Sequence, residues 1–221
     1  MAPATPVNGY CSLADLKYSP VLNTPGDGST TMDDFLCAVI TSVSREIDNY
    51  TSRYFYQSSS SDTHFFDALD PAMCFVGDVV SVSSLATDDG SRTYPYVWTS
   101  SDYDLAPYDA AQKSEPEPYR FIQITPSTNN YFPVTARQVV VYPNYYRPSV
   151  TKGVKVVGVW GWPQVPSQIA KACLLWSARI FMRFSAPLGE TASNAFGSMK
   201  VMPKPDPDIE AMIMNYARPA V

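Results

Sequence analysis

The stretch Val154–Cys173, VKVVGVWGWPQVPSQIAKAC, constrains this chain more than any other. Val154–Trp160 is apolar, β-branched and short, the pattern of a strand. It runs into a corner, Trp160-Gly161-Trp162-Pro163. Proline cannot donate to a β-ladder, so pairing is expected to end at Pro163. If the strand continued that far, Trp160 and Trp162 would point to opposite faces. A helix is expected from Pro166 or Ser167, with a stripe of Ile169, Ala170, Cys173, Leu174, Ser177, Ile180, Phe181 and Phe184. Trp176 sits toward the edge of that stripe, and Pro187 and Gly189 stop the helix.

A helix with one apolar face needs a partner. The natural one lies over residues 31–54. Thr31 is placed to cap it, with Asp33 and Asp34 in the first turn. Phe35, Leu36, Val39, Ile40, Val43, Ile47, Tyr50 and Tyr54 make a 3.6-period stripe, and Thr41, Ser44, Arg45, Asp48 and Asn49 form the polar side. A short helix is expected at Ser12–Lys17, capped by Ser12, and Ser19–Thr30 reads as loop. A last helix begins at Asp206-Pro207, a capping residue followed by proline at the first helical position. It carries Ile209, Met212, Ile213 and Tyr216, which either dock on the parent core or fit a groove on another subunit. Glu190–Val201 is polar and small-residue rich with Gly197, and is expected to be mobile or to order on contact.

Between the long helices the pattern changes. Short apolar or aromatic runs fall at His64–Leu69, Val76–Leu85, Tyr94–Thr99, Tyr119–Thr125, Gln138–Tyr142 and Val154–Trp160. Turn formers separate them, at Asp70-Pro71, Asp88-Asp89-Gly90, Thr125-Pro126 and Pro143-Asn144. This spacing predicts an antiparallel sheet of hairpins. Residues 107–118 read as an acidic, proline-broken loop. The expected fold is α+β: a small helical bundle from residues 1–60 and 151–221, an inserted β-rich subdomain at 61–150, and a C-terminal helix.

Charged residues are only 17% of the chain, which points to much surface turned to core or to subunit contact. The 15 tyrosines suit half-wet interfaces or a Tyr-rich strand surface. The net charge of −5 comes without a basic run, which argues against tight nucleic-acid binding. No apolar run approaches the ~20 residues of a membrane span. Cys11, Cys37, Cys74 and Cys173 form no CxxC pair, and the opening residues do not read as the n-region, h-region and cleavage site of a secretory leader, so none is expected. Buried free thiols in a reducing cytoplasm are expected, with Cys37 and Cys173 on apolar helix faces.

No residue set announces catalysis, metal or cofactor binding. His64, the one histidine, sits between strand residues without a neighbouring nucleophile and orienting acid, and reads as a sheet-surface side chain. Asp88-Asp89-Gly90 lacks the ligand spacing of a calcium loop and reads as a turn. Glu115 and Glu117 alternate with prolines where nothing fixes their separation. The glycines around Trp160 make no phosphate loop and instead let a strand bend and approach closely. Trp98, Trp160 and Trp162 could serve as stacking platforms of a carbohydrate-binding β module, a reading the helical flanks weigh against. A hydrolase with an unrecognised site in the sheet loops is a further alternative.

Val154–Gly158, Trp160-Gly161-Trp162-Pro163, Val165-Pro166, Ile169, Ala172, Arg179, Arg183 and Pro187-Leu188-Gly189 together resemble the head–tail connector proteins of tailed bacteriophages, also called adaptor or head-completion proteins. That family shows a strand, a Gly-Tyr/Trp-Pro corner and a Val-Pro-x-x-Ile helix start in this order. The N-terminal part is similar as well: a short Leu-containing helix, a linker, and a helix ending in an aromatic cluster, here Tyr50–Tyr56. The likeness covers roughly the first sixty and last seventy residues; the β-rich middle departs from it. The resemblance implies a structural protein, not an enzyme: a dodecameric ring under the portal protein that extends the channel for genomic DNA and docks a stopper or tail protein. It implies a virion location, in the neck, after assembly in the host cytoplasm. It also implies that the C-terminal segment, with Ile209, Met212, Ile213 and Tyr216, reaches toward the portal. A stopper or tail-completion protein of the same neck is the nearest alternative.

Overall fold

The computed structural model describes residues 5–20, 22, 30, 32–126, 130–134, 150–185, 190–191, 199–200 and 206–218. The expected strand Gln138–Tyr142, the turn at Pro143-Asn144, the cap Thr31 and the helix stop at Pro187 and Gly189 lie outside these residues, as does most of 19–30 and 190–201. The chain divides into two units, Met1–Phe55 with Val165–Val221, and Tyr56–Gln164.

The first unit is helical. Helix α1, Leu13–Lys17, is capped by Ser12, whose Oγ accepts from Asp15 N at 3.0 Å. Helix α2 spans Asp33–Thr51 and α3 spans Ser167–Ser185; they pack together and α4, Pro207–Met214, packs on both. Leu36, Ile40, Val43 and Ile47 of α2 and Ile169, Ala172 and Cys173 of α3 are buried. Phe35 meets Phe181 and Tyr50 meets Trp176, with ring centroids 6.2 and 5.9 Å apart. Trp176, with Ala172 and Ala178, is buried, so the apolar face of α3 is wider than its periodicity implies. A two-stranded pair, β7 (Glu190–Thr191) and β8 (Met199–Lys200), follows α3.

Two expectations for α2 need correction. The helix stops at Thr51, because Ser52 turns into the left-handed region with φ of 54°. Tyr54 therefore leaves the stripe and is exposed. Ser44 and Asp48, placed on the polar side by periodicity, are buried. The reason is Tyr10: its backbone N–H donates to Ser44 Oγ at 3.0 Å, and its hydroxyl donates to the Asp48 carboxylate. The segment before α1 thus covers the polar face of α2.

The second unit is a six-stranded antiparallel sheet. Its strands are β1 (Asp62–Phe66), β2 (Met73–Thr87), β3 (Tyr96–Trp98), β4 (Tyr103–Ala106), β5 (Tyr119–Ile124) and β6 (Val154–Trp160). The order is β1-β6-β2-β5-β4, with β3 also paired to β2. Together with the helices this is the α+β class expected. At 15 residues β2 is the spine, bonding β5 with its first half and β6 and β3 with its second. Register shifts after Phe75, Val79 and Val82 bend it. Val76, Val79, Leu85, Ile122, Phe132, Val154 and Val156 form the core of this unit.

Candidate functional site

The Trp-Gly-Trp-Pro corner is built around backbone proximity. Strand β6 ends at Trp160, and Gly161 follows with φ of 97°, a region that disfavours any side chain. A Cβ on Gly161 would lie 1.9 Å from Tyr56 O, and one on Gly158 would lie 2.3 Å from Ser81 O. Gly161 N donates to Asp78 O at 3.0 Å, and Ser58 and Trp160 exchange two bonds, Ser58 N to Trp160 O at 2.8 Å and Trp160 N to Ser58 Oγ at 3.0 Å. The corner is thus turned by Gly161, two residues before the proline expected to end it. Trp160 and Trp162 do not alternate across a continuing strand; both are buried, and Pro163 is half-buried.

That burial bears on the stacking reading. Trp160 has one ring face covered by His64, 4.1 Å away and nearly parallel, and its Nε1 donates to Asp62 O at 3.0 Å. Trp98 stacks on Phe132 at 4.7 Å and donates from Nε1 to Thr87 Oγ1 at 3.1 Å. Trp162 is 3% exposed. None of the three tryptophans offers an open platform to a sugar ring, which removes the feature on which the carbohydrate-binding alternative stood.

The remaining candidate groups make local contacts within the sheet unit. His64 is half-exposed on β1, 3.5 Å from the Asp62 carboxylate. Asp88 is buried and accepts from Arg92 N at 2.9 Å, while Asp89 accepts from Ser91 N at 3.0 Å. The Asp-Asp-Gly run thus folds the turn between β2 and β3 around its own carboxylates. Glu117 pairs with Lys113 at 3.0 Å in a segment with a single 3-10 turn, Ala110–Gln112. Among the described residues no group of three or more His, Cys, Asp or Glu side chains could hold a metal ion, and no helix is long and apolar enough to cross a membrane.

Helix α4 divides its side chains between two environments. Ile209 and Ile213 are fully buried within the helical unit. Tyr216 is half-buried, edge-on to Phe55 at 5.7 Å, and Arg218 N donates to Thr51 O at 3.0 Å. Met212 is half-buried and Met214 is 50% exposed. Of the four residues assigned by resemblance to a portal contact, two are therefore occupied in the chain's own core. Asp206 stands at the N-cap but makes no cap bond; its carboxylate pairs with Arg179 of α3, which fastens the start of α4 instead.

One cluster escaped sequence reasoning. Tyr10, Ser44, Arg45 and Asp48 converge beside Phe55, whose N–H donates to the Tyr10 hydroxyl at 2.9 Å. Arg45 lies 3.0 Å from Asp48 and over the Tyr10 ring. Burial pushes the Asp48 carboxyl up to about 6, against the hydrogen bond from Tyr10 and the Arg45 charge, which lower it. Burial and then the bond to Asp48 raise the Tyr10 hydroxyl. The one sequence signal for this cluster is the set of polar residues at helical spacing, Ser44 and Asp48, which reads equally well as a solvated face.

No family model matches the chain, and no curated protein matches it. Among solved structures, the fold is similar to that of a chain in a particle described as "Neck of empty GTA particle computed with C6 symmetry", GTA standing for gene transfer agent. The TM-score is 0.50 at 14% identity, and the match covers 95% of this chain and 90% of the other. The likeness at this identity is one of fold. It spans the β-rich middle as well as the helical flanks.

Proposed function

We propose that this chain is a structural subunit of the neck of a tailed, phage-like particle, where it acts as a head–tail adaptor rather than as an enzyme. The observation that carries the reading is the correspondence of fold, over nearly the whole length of both chains, with a chain of a GTA neck. The strand, Trp-Gly-Trp-Pro corner and Val-Pro helix start support it independently, because they are features of the amino-acid sequence and owe nothing to the likeness of fold.

In this role the mechanism is geometric. Copies of the chain form a ring beneath the portal, continue the DNA channel and present a seat for a stopper or tail protein. A dodecamer is compatible with the six-fold symmetry of the neighbouring particle, since twelve is a multiple of six. A net charge of −5 without a basic run lets DNA slide past without being gripped or read. The portal contact falls to the solvent side of α4, at Met214, since Ile209 and Ile213 hold the helix to its parent unit and Tyr216 packs on Phe55. The test is co-sedimentation of the purified chain with portal rings of its own particle. Comigration is expected for the full chain, and binding weakened at least ~10-fold for Met214→Glu. A chain that sediments alone at micromolar concentrations contradicts the adaptor role.

A further inference from the structure

We infer that Cys11 and Cys173 form a thiol pair built to close into a disulfide, stapling the segment before α1 to the middle of α3. The inference stands apart from the neck reading. All four cysteines are free thiols, buried, yet only these two are shown in mutual contact, with their sulfurs 3.6 Å apart across 162 residues of sequence. A disulfide bond is about 2.05 Å long, so the sulfurs have about 1.5 Å left to travel.

Their surroundings divide the labour between them. Cys11, itself buried, lines a cleft of about 500 Å³ walled by Pro6, Gly9, Tyr10, Ser12 and Lys171 among others, and this cleft is the side from which a small molecule would approach it. Cys173 lies behind it and is fully buried. Ser44 Oγ is 3.5 Å and Ser177 Oγ 4.0 Å from the Cys173 sulfur. The hydrogen bond from Cys11, then these hydroxyls, favour the Cys173 thiolate against the cost of burial, and the same bond holds the proton on Cys11. Cys11 is thus the outer member, at 9% exposure, and Cys173 the resolving one.

The oxidant is a small-molecule disulfide of the glutathione type. In the first step the Cys173 thiolate takes the Cys11 proton across the 3.6 Å contact as the Cys11 sulfur attacks one sulfur of oxidised glutathione; its S–S bond breaks and one glutathione thiolate leaves. In the second, Cys173 passes that proton to the departed glutathione thiolate, attacks the Cys11 sulfur and expels the second glutathione as a thiolate. Two protein sulfurs are oxidised to one disulfide and one glutathione disulfide is reduced to two glutathione sulfurs; the one proton of the cysteine pair goes to the first glutathione thiolate, and the second takes its proton from water. Cys37 and Cys74 take no part.

The experiment is intact-mass and peptide mapping of the full-length chain after incubation with oxidised glutathione, without denaturant. The expected product lacks two hydrogens, carries a Cys11–Cys173 cross-linked peptide and melts at a higher temperature than the reduced chain. Cys173→Ser is expected to stop at a stable glutathione adduct on Cys11. A chain with Cys37→Ala and Cys74→Ala is expected to cross-link as the parent does. Four free thiols after oxidation, a lasting adduct on the parent chain, or pairing through Cys37 or Cys74 would each overturn the inference. The parent chain alone decides these outcomes, so a variant that fails to fold does not protect the idea.

Discussion

The corner at Trp160–Pro163 and the terminal helix α4 both stand out in the sequence, and the structure holds them by different means. The corner is fixed by backbone against backbone: Gly161 lies so close to Tyr56 O that no side chain fits. Helix α4 is fixed by side chains on one face, Ile209 and Ile213 inward and Met214 outward, with an ion pair at its start. A backbone fit leaves no surface for a partner. A one-sided helix keeps one. A distinctive sequence motif therefore points to fold at the first site and to a candidate contact at the second.

Breaking the corner has the largest expected effect. Gly161→Ala adds a clash to an unfavourable φ and is expected to cost ~4 kcal/mol or more, beyond the ordinary range of point changes. Hydrogen exchange should show the loss in β1, β2 and β6 first. Stability within ~1 kcal/mol of the parent would mean the corner relaxes easily. Next comes the inner face of α4. Ile213→Ala should cost ~3 kcal/mol through lost burial and the cavity left behind. Exchange is then expected to rise in α4 and in the ends of α2 and α3, with the sheet unit unchanged. Faster exchange in the sheet as well would mean that the two units do not respond separately.

A smaller effect is expected at Asp48, which shares the helical unit with α4. Its carboxyl titrates at about 6 when folded, against an ordinary value of 3.8. The folded state thus binds this proton more tightly than the unfolded one, so the contribution is fully present below pH 3.8 and is lost as pH rises through 6. Asp48→Asn keeps an acceptor for Tyr10 and removes that loss. It should flatten the decline in stability from pH 4 to 7 by about 1–2 kcal/mol, read from urea titrations at several pH values. An unchanged slope would show that Arg45 and Tyr10 already hold the carboxylate ionised. Smallest for stability is Met214→Glu, within ~0.5 kcal/mol in the isolated chain, since the side chain is half in water. Its expected consequence is confined to portal binding. A large loss of stability would place Met214 on the buried face with Ile213 rather than in water.

The legibility of these regions follows the range of the interactions. Local signals carry well: the Ser12 cap, the stripe of α2 and the start of α3 at Ser167 depend on residues a few positions apart. Long-range ones do not. Strand β4 is four residues long and exists through pairing with β5, so its one alternation, Tyr103 and Leu105, is too short to read. Burial of Ser44 and Asp48 depends on Tyr10, over thirty residues away in a stretch with no periodicity. The meeting of Cys11 with Cys173 has no local trace at all. At the corner, the glycine spacing suggests close approach, but that Gly161 rather than Pro163 makes the turn depends on where Tyr56 lies.

A ring subunit of a neck, seated on a portal, is a claim about assembly, and it is tested most directly by electron microscopy of the purified chain mixed with the portal of its own particle. The predicted result is a closed ring on the portal's tail side, coaxial with its channel, with α4 at the contact. A chain that stays monomeric beside bare portals at saturating concentration would contradict it.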